Sequence, residues 1–398
     1  MKCKITEKKI EPFMSFGKMP IANGFLEEKD FYKEFFFNME VGFSNEISLL
    51  QLNDHPKPSM MFNDNYPFFT GSSEYMKSHF KNYADWIKKN YVPKAKNIIE
   101  IGSNDGTFLK NFNDSEINAV GFEPSNNVAN KAKIDGTSTL NEFFNTDTVS
   151  ELKNFLNRTD LICAANVICH IPDLNNLIKA IDLMLNKKGL FIFEETYLGS
   201  MFKKTTYDQI YDEHIFIFSV TAINKIFNLF EMQLIDCVPQ DTHGGSMRYV
   251  ISRKNIYPIN KNVNKYLEIE KRDNLDNISS CLKFKSECEL SKKKLKSKIK
   301  EILNQNRNIC GYAATSKSTT ILNYCDIGKE NIDYICDTTK EKIGKYSPGT
   351  HIPIVSMEHF KKNMPDVAFL FAWNHKTEIF EKEKEFSKLG EWIAHIDI

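Results

Sequence analysis

The chain has 398 residues, a length that exceeds one compact hydrophobic core and predicts two or three domains. Its 52 lysines and arginines equal its 52 aspartates and glutamates, so no net charge attracts nucleic acid or an anionic membrane. The nine cysteines form no C-x-x-C pair, which argues against a zinc knuckle or a thioredoxin-type site, and no apolar stretch is long enough to span a membrane. Scattered cysteines and an N-terminus without a signal-peptide core lead us to expect a cytoplasmic enzyme.

Residues 1–65 are predicted to form a small domain of short strands and turns. Their apolar runs, EFFFNMEVGF and EISLLQL, are broken by proline, asparagine and aspartate. From Tyr75 onwards, apolar residues recur at intervals of three and four, which predicts a helix.

Residues 66–257 alternate strand-like and helix-like segments. The strands are NIIEIG, AVGFEP, DLICAANV and GLFIFEETYL, while GTFLKNF opens a helix and LIKAIDLMLNKKG forms another that ends at Gly189. Continuously apolar strands separated by helices predict a parallel sheet that is covered on both faces.

Residues 258–398 begin with a charged region and end in a second, smaller α/β unit. The region from about 258 to 306 is rich in lysine and glutamate at loose helical spacing, which predicts long linker helices with a solvated face. The runs RNICGYAATSKSTTILNY, IDYICD and VAFLFAW then predict a strand, loop and helix followed by two further strands.

A glycine turn after the first middle strand predicts a nucleoside site. The run IEIGSNDG, residues 99–106, allows close approach of the backbone to a ligand at a helix start. The next strand ends in Glu123, roughly 20 residues further on, where a carboxylate can accept from both ribose hydroxyls. The missing P-loop lysine argues against ATP and the missing G-x-G-x-x-G against a dinucleotide, while a turn without a ligand is the alternative.

The densest cluster of ionisable side chains is YDQIYDEH, residues 207–214, which follows the strand GLFIFEETYL. Sites of α/β proteins gather beyond the carboxyl ends of strands. A histidine beside carboxylates and tyrosines can act as a general base near neutral pH, which makes His214 the candidate base. A polar surface loop with the same composition is the alternative on spacing alone.

The residues at both sites resemble known methyltransferases. EIGSNDGTFL is similar to the first motif of class I methyltransferases, and YDQIYDEHIFIFS resembles the signature of sugar C-methyltransferases that act on nucleotide-linked 4-keto-6-deoxyhexoses. Further resembling segments follow in the family's order: YPFFTGSSEYMKSH (66–79), Glu194 with Tyr197-Leu198, THGGSMR (242–248), GYAATSK (311–317) with LNY (322–324), PGTHIPI (348–354) and AWN (372–374).

The resemblance implies an α/β protein with a class I methyltransferase, Rossmann-like middle domain. It also implies a small N-terminal α+β domain and a C-terminal Rossmann-like α/β domain. The implied cofactor is S-adenosylmethionine, and the residues expected to bind it are Glu100, Gly102, Ser103, Asn104, Glu123, Pro124, Asn166 and His170. By itself, His170 is more typical of a structural histidine than of a catalyst.

The resemblance further implies carbon methylation through an enolate. His214 would remove a proton beside a ketone, Glu213 would orient it, and Tyr211 or Tyr207 would donate a hydrogen bond to substrate oxygen. The nucleotide-sugar partner would be bound by the C-terminal unit. Its expected contacts, each with a surface polar residue as the alternative, are His243, Ser246, Arg248, Lys317, His351 and Asn374.

The chain departs from the family in its first domain and in one loop. The family usually carries four zinc-binding cysteines, whereas Cys3, Thr6, Ser44 and Ile47 occupy those positions here, so we expect no metal. Phe68 stands where the family often has a tyrosine, and the loop 314–318 also differs from the family's usual sequence. The sequence therefore does not identify the exact substrate or the methylated position.

Two other functions remain open at this point. The same histidine could serve O- or N-methylation of a sugar, or the fold could persist in a catalytically silent binding protein. We expect a small-molecule partner, no nucleic acid and no membrane, in a monomer or a homodimer.

Overall fold

The computed structural model describes residues 1–64 and 66–398. In chain order the strands are β1 (Pro12–Pro20), β2 (Phe36–Ser44), β3 (Leu49–Leu52), β4 (Asn97–Ile101), β5 (Asn118–Phe122), β6 (Thr139–Leu140), β7 (Thr159–Ala165), β8 (Leu185–Thr196), β9 (Phe216–Ile217), β10 (Met232–Gln240), β11 (Ser246–Arg253), β12 (Ile309–Tyr312), β13 (Ile335–Asp337), β14 (Ile354–Ser356), β15 (Val367–Leu370) and β16 (Glu391–Ile393).

The α-helices are α1 (Pro58–Met61), α2 (Glu74–Asn90), α3 (Asn126–Ile134), α4 (Thr146–Ser150), α5 (Leu174–Met184), α6 (Leu198–Lys204), α7 (Val220–Asn228), α8 (Lys261–Arg272), α9 (Ile278–Asn304), α10 (Ser316–Tyr324), α11 (Met357–Lys362), α12 (Lys376–Lys382) and α13 (Phe386–Leu389). No helix in the described part of the chain is both long enough and apolar enough to cross a membrane.

The central sheet has the strand order β10-β11-β8-β7-β4-β5-β6. Strands β4 to β8 run parallel, and β11 inserts antiparallel between β8 and β10. Both faces of the central sheet carry buried apolar residues, as expected for a parallel sheet that is covered by helices. This arrangement confirms the predicted class I methyltransferase fold.

Two helices of this sheet differ from the prediction. The helix predicted to end at Gly189 stops at Met184, because Leu185 pairs with Thr159 and starts β8 early. The helix predicted from GTFLKNF is only a short 3₁₀ turn, Leu109–Phe112. The Asn111 amide donates to the carbonyls of residues 107 and 108, which competes with continued helical bonding.

The N-terminal sheet has the order β1-β2-β3-β9, and its last strand comes from far along the chain. β9 begins two residues after His214, and Leu50 pairs with Ile217 across the β3–β9 ladder. The segment that carries the candidate base is therefore continuous with the N-terminal sheet.

The four positions that correspond to zinc ligands in the resembling family do not suit zinc. Cys3 is fully buried, Ile47 is an apolar core residue beside it in the same cluster, and Thr6 and Ser44 offer only hydroxyls. Among the residues that the structure describes, no group of three potential metal ligands lies in this sheet.

The C-terminal sheet is entirely parallel, with the order β14-β13-β12-β15-β16. Helices α8 and α9 connect it to the central sheet at the predicted place. Their charged face is not wholly solvated, because Glu270 on α8 is fully buried and accepts hydrogen bonds from the Tyr197 hydroxyl and from two backbone amides at the start of α7.

A buried ion pair joins β8 and β11 in the central sheet. Arg248 lies opposite Glu194 in the ladder, and its Nε donates to Glu194 Oε2 at 2.8 Å. The guanidinium also stacks 3.8 Å from the ring centroid of Tyr83 on α2. Arg248, which we predicted to contact substrate, instead has its Nε and one face of its guanidinium engaged within the central domain.

Replacement of Arg248 by methionine should destabilise the protein strongly. The change removes one partner and leaves the Glu194 carboxylate buried without its cation, which typically costs about 3–5 kcal/mol. Urea unfolding followed by circular dichroism measures the loss. The matched control is Lys254→Met, which removes a partly exposed partner of the exposed Glu231 and should change stability by less than about 1 kcal/mol. Equal midpoints for the two variants would contradict the structural role.

Removal of metal ions should leave the N-terminal sheet intact. Since one sulfur ligand cannot make a structural zinc site, the melting temperature in excess EDTA should equal that without chelator. A decrease of several degrees, together with a release of zinc that the Cys3→Ser variant no longer shows, would show that this sheet does bind a metal ion.

Candidate active site

A large cavity opens at the carboxyl ends of the central strands. Its volume is about 1250 Å³, and residues from the N-terminal, middle and C-terminal regions of the chain line its wall. Asn23 comes from the N-terminal region, Gly102 and His214 from the middle, and Lys317 from the C-terminal region. The cavity is large enough for a nucleoside cofactor and a second ligand together.

The predicted glycine loop forms one wall. Gly102 has a φ of +64°, and an added Cβ would lie 2.4 Å from a Val167 methyl, so only glycine fits. Glu123 is buried and accepts hydrogen bonds from the backbone amides of Asn104 at 3.0 Å and Ser125 at 2.8 Å. Those bonds fix its carboxylate at the cavity, and each oxygen keeps a second lone pair for a ligand hydroxyl.

Two buried polar atoms beside the loop have no hydrogen-bond partner among the described residues. They are Glu100 Oε2 and Ser103 Oγ, and both residues line the cavity, as does Pro124. Burial, with the carboxylates of Asp105 and Glu123, holds the pKa of Glu100 well above its usual range. Unpaired buried polar atoms are rare, and they fit a polar cofactor at this wall.

The turn after β7 carries Asn166 and His170 to the same cavity. Glu195 fixes this turn: its Oε1 accepts from the amides of Val167 at 2.9 Å and Ile168 at 2.6 Å. The Asn166 side-chain nitrogen lies 3.2 Å from His243 Nε2. His170 Nε2 has no partner among the residues described, and burial lowers the pKa of His170 to about 4.

His214 is held in one tautomer. Its Nδ1 lies 2.7 Å from the Gln209 carbonyl oxygen and must donate to it, so Nε2 is the acceptor and receives the Tyr211 hydroxyl at 2.7 Å. Burial and the neighbouring His170, whose ring centroid is 5.3 Å away, hold the pKa of His214 well below its usual value. The imidazole is therefore neutral and can accept a proton.

Glu213 does not orient His214, which corrects our prediction. Its two oxygens accept instead from Asn23 Nδ2 at 2.7 Å and from the Tyr66 hydroxyl at 3.2 Å. Burial raises its pKa. Asn23 was missed, because nothing in the sequence connects position 23 with a loop 190 residues later.

Tyr207 lies outside the cavity wall, contrary to prediction. Its ring is completely buried against Tyr324, and its hydroxyl is 3.4 Å from the Cys325 sulfur. The neighbouring Asp208 instead accepts from the Trp373 indole at 2.7 Å, which ties this loop to the C-terminal region.

The predicted substrate contacts divide into two groups. Lys317 Nζ donates to Asn374 Oδ1 at 2.9 Å, and both line the cavity with His243. His351 and Ser246 lie elsewhere: His351 Nε2 is 2.7 Å from Glu34 Oε2, and Ser246 donates to the Thr242 carbonyl. Cavity residues that the sequence did not indicate include Phe62, Phe143, Asp337, Lys342 and His375.

Three protein-family models match the chain in succession. Residues 3–62 match a putative zinc binding domain, residues 75–236 a methyltransferase domain, and residues 241–396 a C-methyltransferase C-terminal domain. The matched methyltransferase segment contains the glycine loop and His214, so the glycine-loop wall of the cavity lies within it.

Among characterised proteins, the C-methyltransferase NovU of Streptomyces niveus is 26% identical over 380 residues, covering 95% of this chain and 90% of that protein. Solved structures with some likeness include the PH0226 protein of Pyrococcus horikoshii OT3 (16% identity, TM-score 0.38, 50% of this chain and 96% of that one). Another is the magnesium protoporphyrin IX methyltransferase of Synechocystis PCC 6803 with bound SAM (10% identity, TM-score 0.34, 45% and 79%). With its strand order and three matched segments, the chain combines a class I, S-adenosylmethionine-dependent methyltransferase domain with a segment that matches a C-methyltransferase C-terminal domain.

Proposed function

We propose that this protein methylates a carbon atom next to the ketone of a nucleotide-linked keto-deoxysugar. The observation that carries the proposal is a neutral His214 whose acceptor nitrogen faces a cavity shared with the cofactor loop. Removal of a proton from carbon requires a positioned base. The neighbouring ketone makes this removal feasible, because the resulting negative charge is delocalised onto its oxygen. The name of the C-methyltransferase relative supports a carbon acceptor.

The cofactor wall would hold S-adenosylmethionine through residues already in place. Glu123 would accept from the ribose hydroxyls, and Glu100 and Ser103 would use their unpaired oxygens. Asn166 and the close approach allowed by Gly102 would form the edge of the same wall. When bound, the cofactor supplies a methyl group on a positively charged sulfur, which a carbon nucleophile can attack.

His214 and Tyr211 would have separate roles in enolisation, as the proton acceptor and as the hydrogen-bond donor to the enolate oxygen. Tyr211 covers His214 Nε2 in the free protein, with its hydroxyl proton directed at that nitrogen. On binding, a ketone oxygen would compete for the same hydroxyl proton. Tyr211 would then stabilise the enolate oxygen, and the uncovered Nε2 would receive the proton from carbon. The Gln209 carbonyl keeps Nδ1 protonated throughout.

The other end of the cavity suits a diphosphate. Lys317 and Lys342 are basic residues on its C-terminal wall, and the Thr315 hydroxyl caps the start of α10 at the same wall. Lysines and helix starts bind phosphate oxygens, so the nucleotide would lie there and its sugar would extend towards His214.

The Glu123→Ala variant should bind S-adenosylhomocysteine more weakly by about 1–3 kcal/mol, since charge-assisted bonds to the ribose are lost. Glu123→Gln keeps one acceptor oxygen and should lose less. Isothermal titration calorimetry measures both, with the exposed Glu116→Ala as the control. Native affinity in Glu123→Ala would show that Glu123 does not bind the ribose.

The His214→Asn variant should turn over about 10²–10⁴-fold more slowly, because a positioned base is lost, while binding of S-adenosylhomocysteine stays native. Rates are measured by mass spectrometry with a panel of nucleotide-linked keto-sugars. The exposed His359→Asn is the matched control. In deuterated water with S-adenosylhomocysteine, the native enzyme should exchange the substrate C–H and the variant should not.

Product analysis separates the remaining functions. NMR of the methylated product distinguishes a carbon-bound methyl from one on oxygen or nitrogen. Native rates of exchange in His214→Asn would assign the base elsewhere, with Tyr211 next to be tested. Absence of methyl transfer to every acceptor, despite cofactor binding, would favour a silent binding protein.

A further inference from the structure

We propose that Cys169, His170 and His214 form a binding site for a thiophilic divalent cation, Zn²⁺ being the best match. The three side chains offer one sulfur and two imidazole nitrogens within 4.8 Å of one another. No other group of three potential ligands with this spacing occurs in residues 1–64 and 66–398.

Two loops bring these donors together. Cys169 and His170 belong to the turn after β7, which the Glu195 carboxylate fixes by accepting the amides of Ile168 and Cys169. His214 lies on the loop before β9, with its ring stacked at 24° to that of His170. Ligand atoms around a tetrahedral zinc lie about 3.3–3.7 Å apart, so small side-chain rotations would close the site.

Both imidazoles present a free or exchangeable lone pair. His214 donates from Nδ1 to a backbone carbonyl, the arrangement that orients most histidine ligands of metals and leaves Nε2 to coordinate. His170 Nε2 is buried and has no hydrogen-bond partner among the described residues. A cation would displace only the Tyr211 hydroxyl from His214.

The ligand set selects the ion. A sulfur with two imidazoles favours Zn²⁺ over Mg²⁺ or Ca²⁺, which prefer oxygen ligands. Binding would convert the Cys169 thiol to a thiolate and release its proton to solvent. Three protein ligands leave a fourth position, open to the cavity, for water or a substrate oxygen.

Occupation of this site would regulate the reaction, a consequence that rests on the proposed function. The cation would take the lone pair of His214 Nε2, the atom proposed to accept the substrate proton. Zinc would therefore inhibit, and the inhibition would compete with the sugar substrate rather than with the cofactor. The ion would be exchangeable, unlike a structural zinc in a closed site.

The test uses Co²⁺ as a spectroscopic probe on the full-length protein loaded with S-adenosylhomocysteine. A sulfur-to-cobalt charge-transfer band should appear at about one equivalent, and Zn²⁺ should displace it. Cys169→Ser, which retains size but replaces the sulfur, should abolish the band and weaken Zn²⁺ binding by at least ~10-fold. Cys237→Ser changes another fully buried thiol of the same core and should retain both properties.

Activity assays then separate this site from the base assignment. Zn²⁺ should inhibit native methyl transfer reversibly, with EDTA restoring the rate, while Cys169→Ser keeps its metal-free activity and resists inhibition. Absence of the cobalt band, or a band unchanged in Cys169→Ser, would overturn the site. A band that depends on Cys169, in an enzyme that turns over at the native rate with zinc bound, would support the site and refute His214 as the base.

Discussion

Two adjacent buried carboxylates at the end of β8 organise the whole site. Glu194 accepts hydrogen bonds from Arg248 and from Thr242, the residue before His243. Its carboxylate also lies 2.8 Å from the ring nitrogen of His79. Glu195, on the opposite face of the strand, fixes the turn that carries His170. A buried charge is costly unless it is paired, so Glu194 forces the elements around it into one arrangement. Burial raises the pKa of Glu195 to about 7, and this carboxyl group acts through its hydrogen bonds to backbone amides.

The cavity depends on contacts between distant parts of the chain. Asn23 reaches Glu213 from the N-terminal region, and Trp373 reaches Asp208 from the C-terminal region. Thr320 on α10 donates to the Ile210 carbonyl of the same loop. The loop that contains His214 is thus fixed by contacts with both the N-terminal and the C-terminal regions. Its geometry depends on these long-range contacts and not on its local sequence alone.

Burial gives the histidines their chemical character. In water, a histidine is partly protonated near neutral pH, but exclusion of water disfavours the charged imidazolium. His243 shows the same effect, because burial and the nearby Lys317 lower its pKa to about 3. The cavity therefore presents several neutral imidazole groups, which can accept a proton or, where a thiol lies beside them, coordinate a metal ion.

The sequence alone determined the α/β class of fold and indicated a nucleoside site, because strand periodicity, a glycine turn and a following acid are local patterns. The identity of the cofactor came from the resemblance of the motifs to class I methyltransferases. Tertiary structure decided which polar residues meet. Arg248 and His351 have side-chain nitrogens suited to phosphate, yet these nitrogens already lie against the carboxylates of Glu194 and Glu34. Partners separated by dozens or hundreds of residues leave no spacing pattern, since only packing of the folded chain brings such side chains within hydrogen-bond distance.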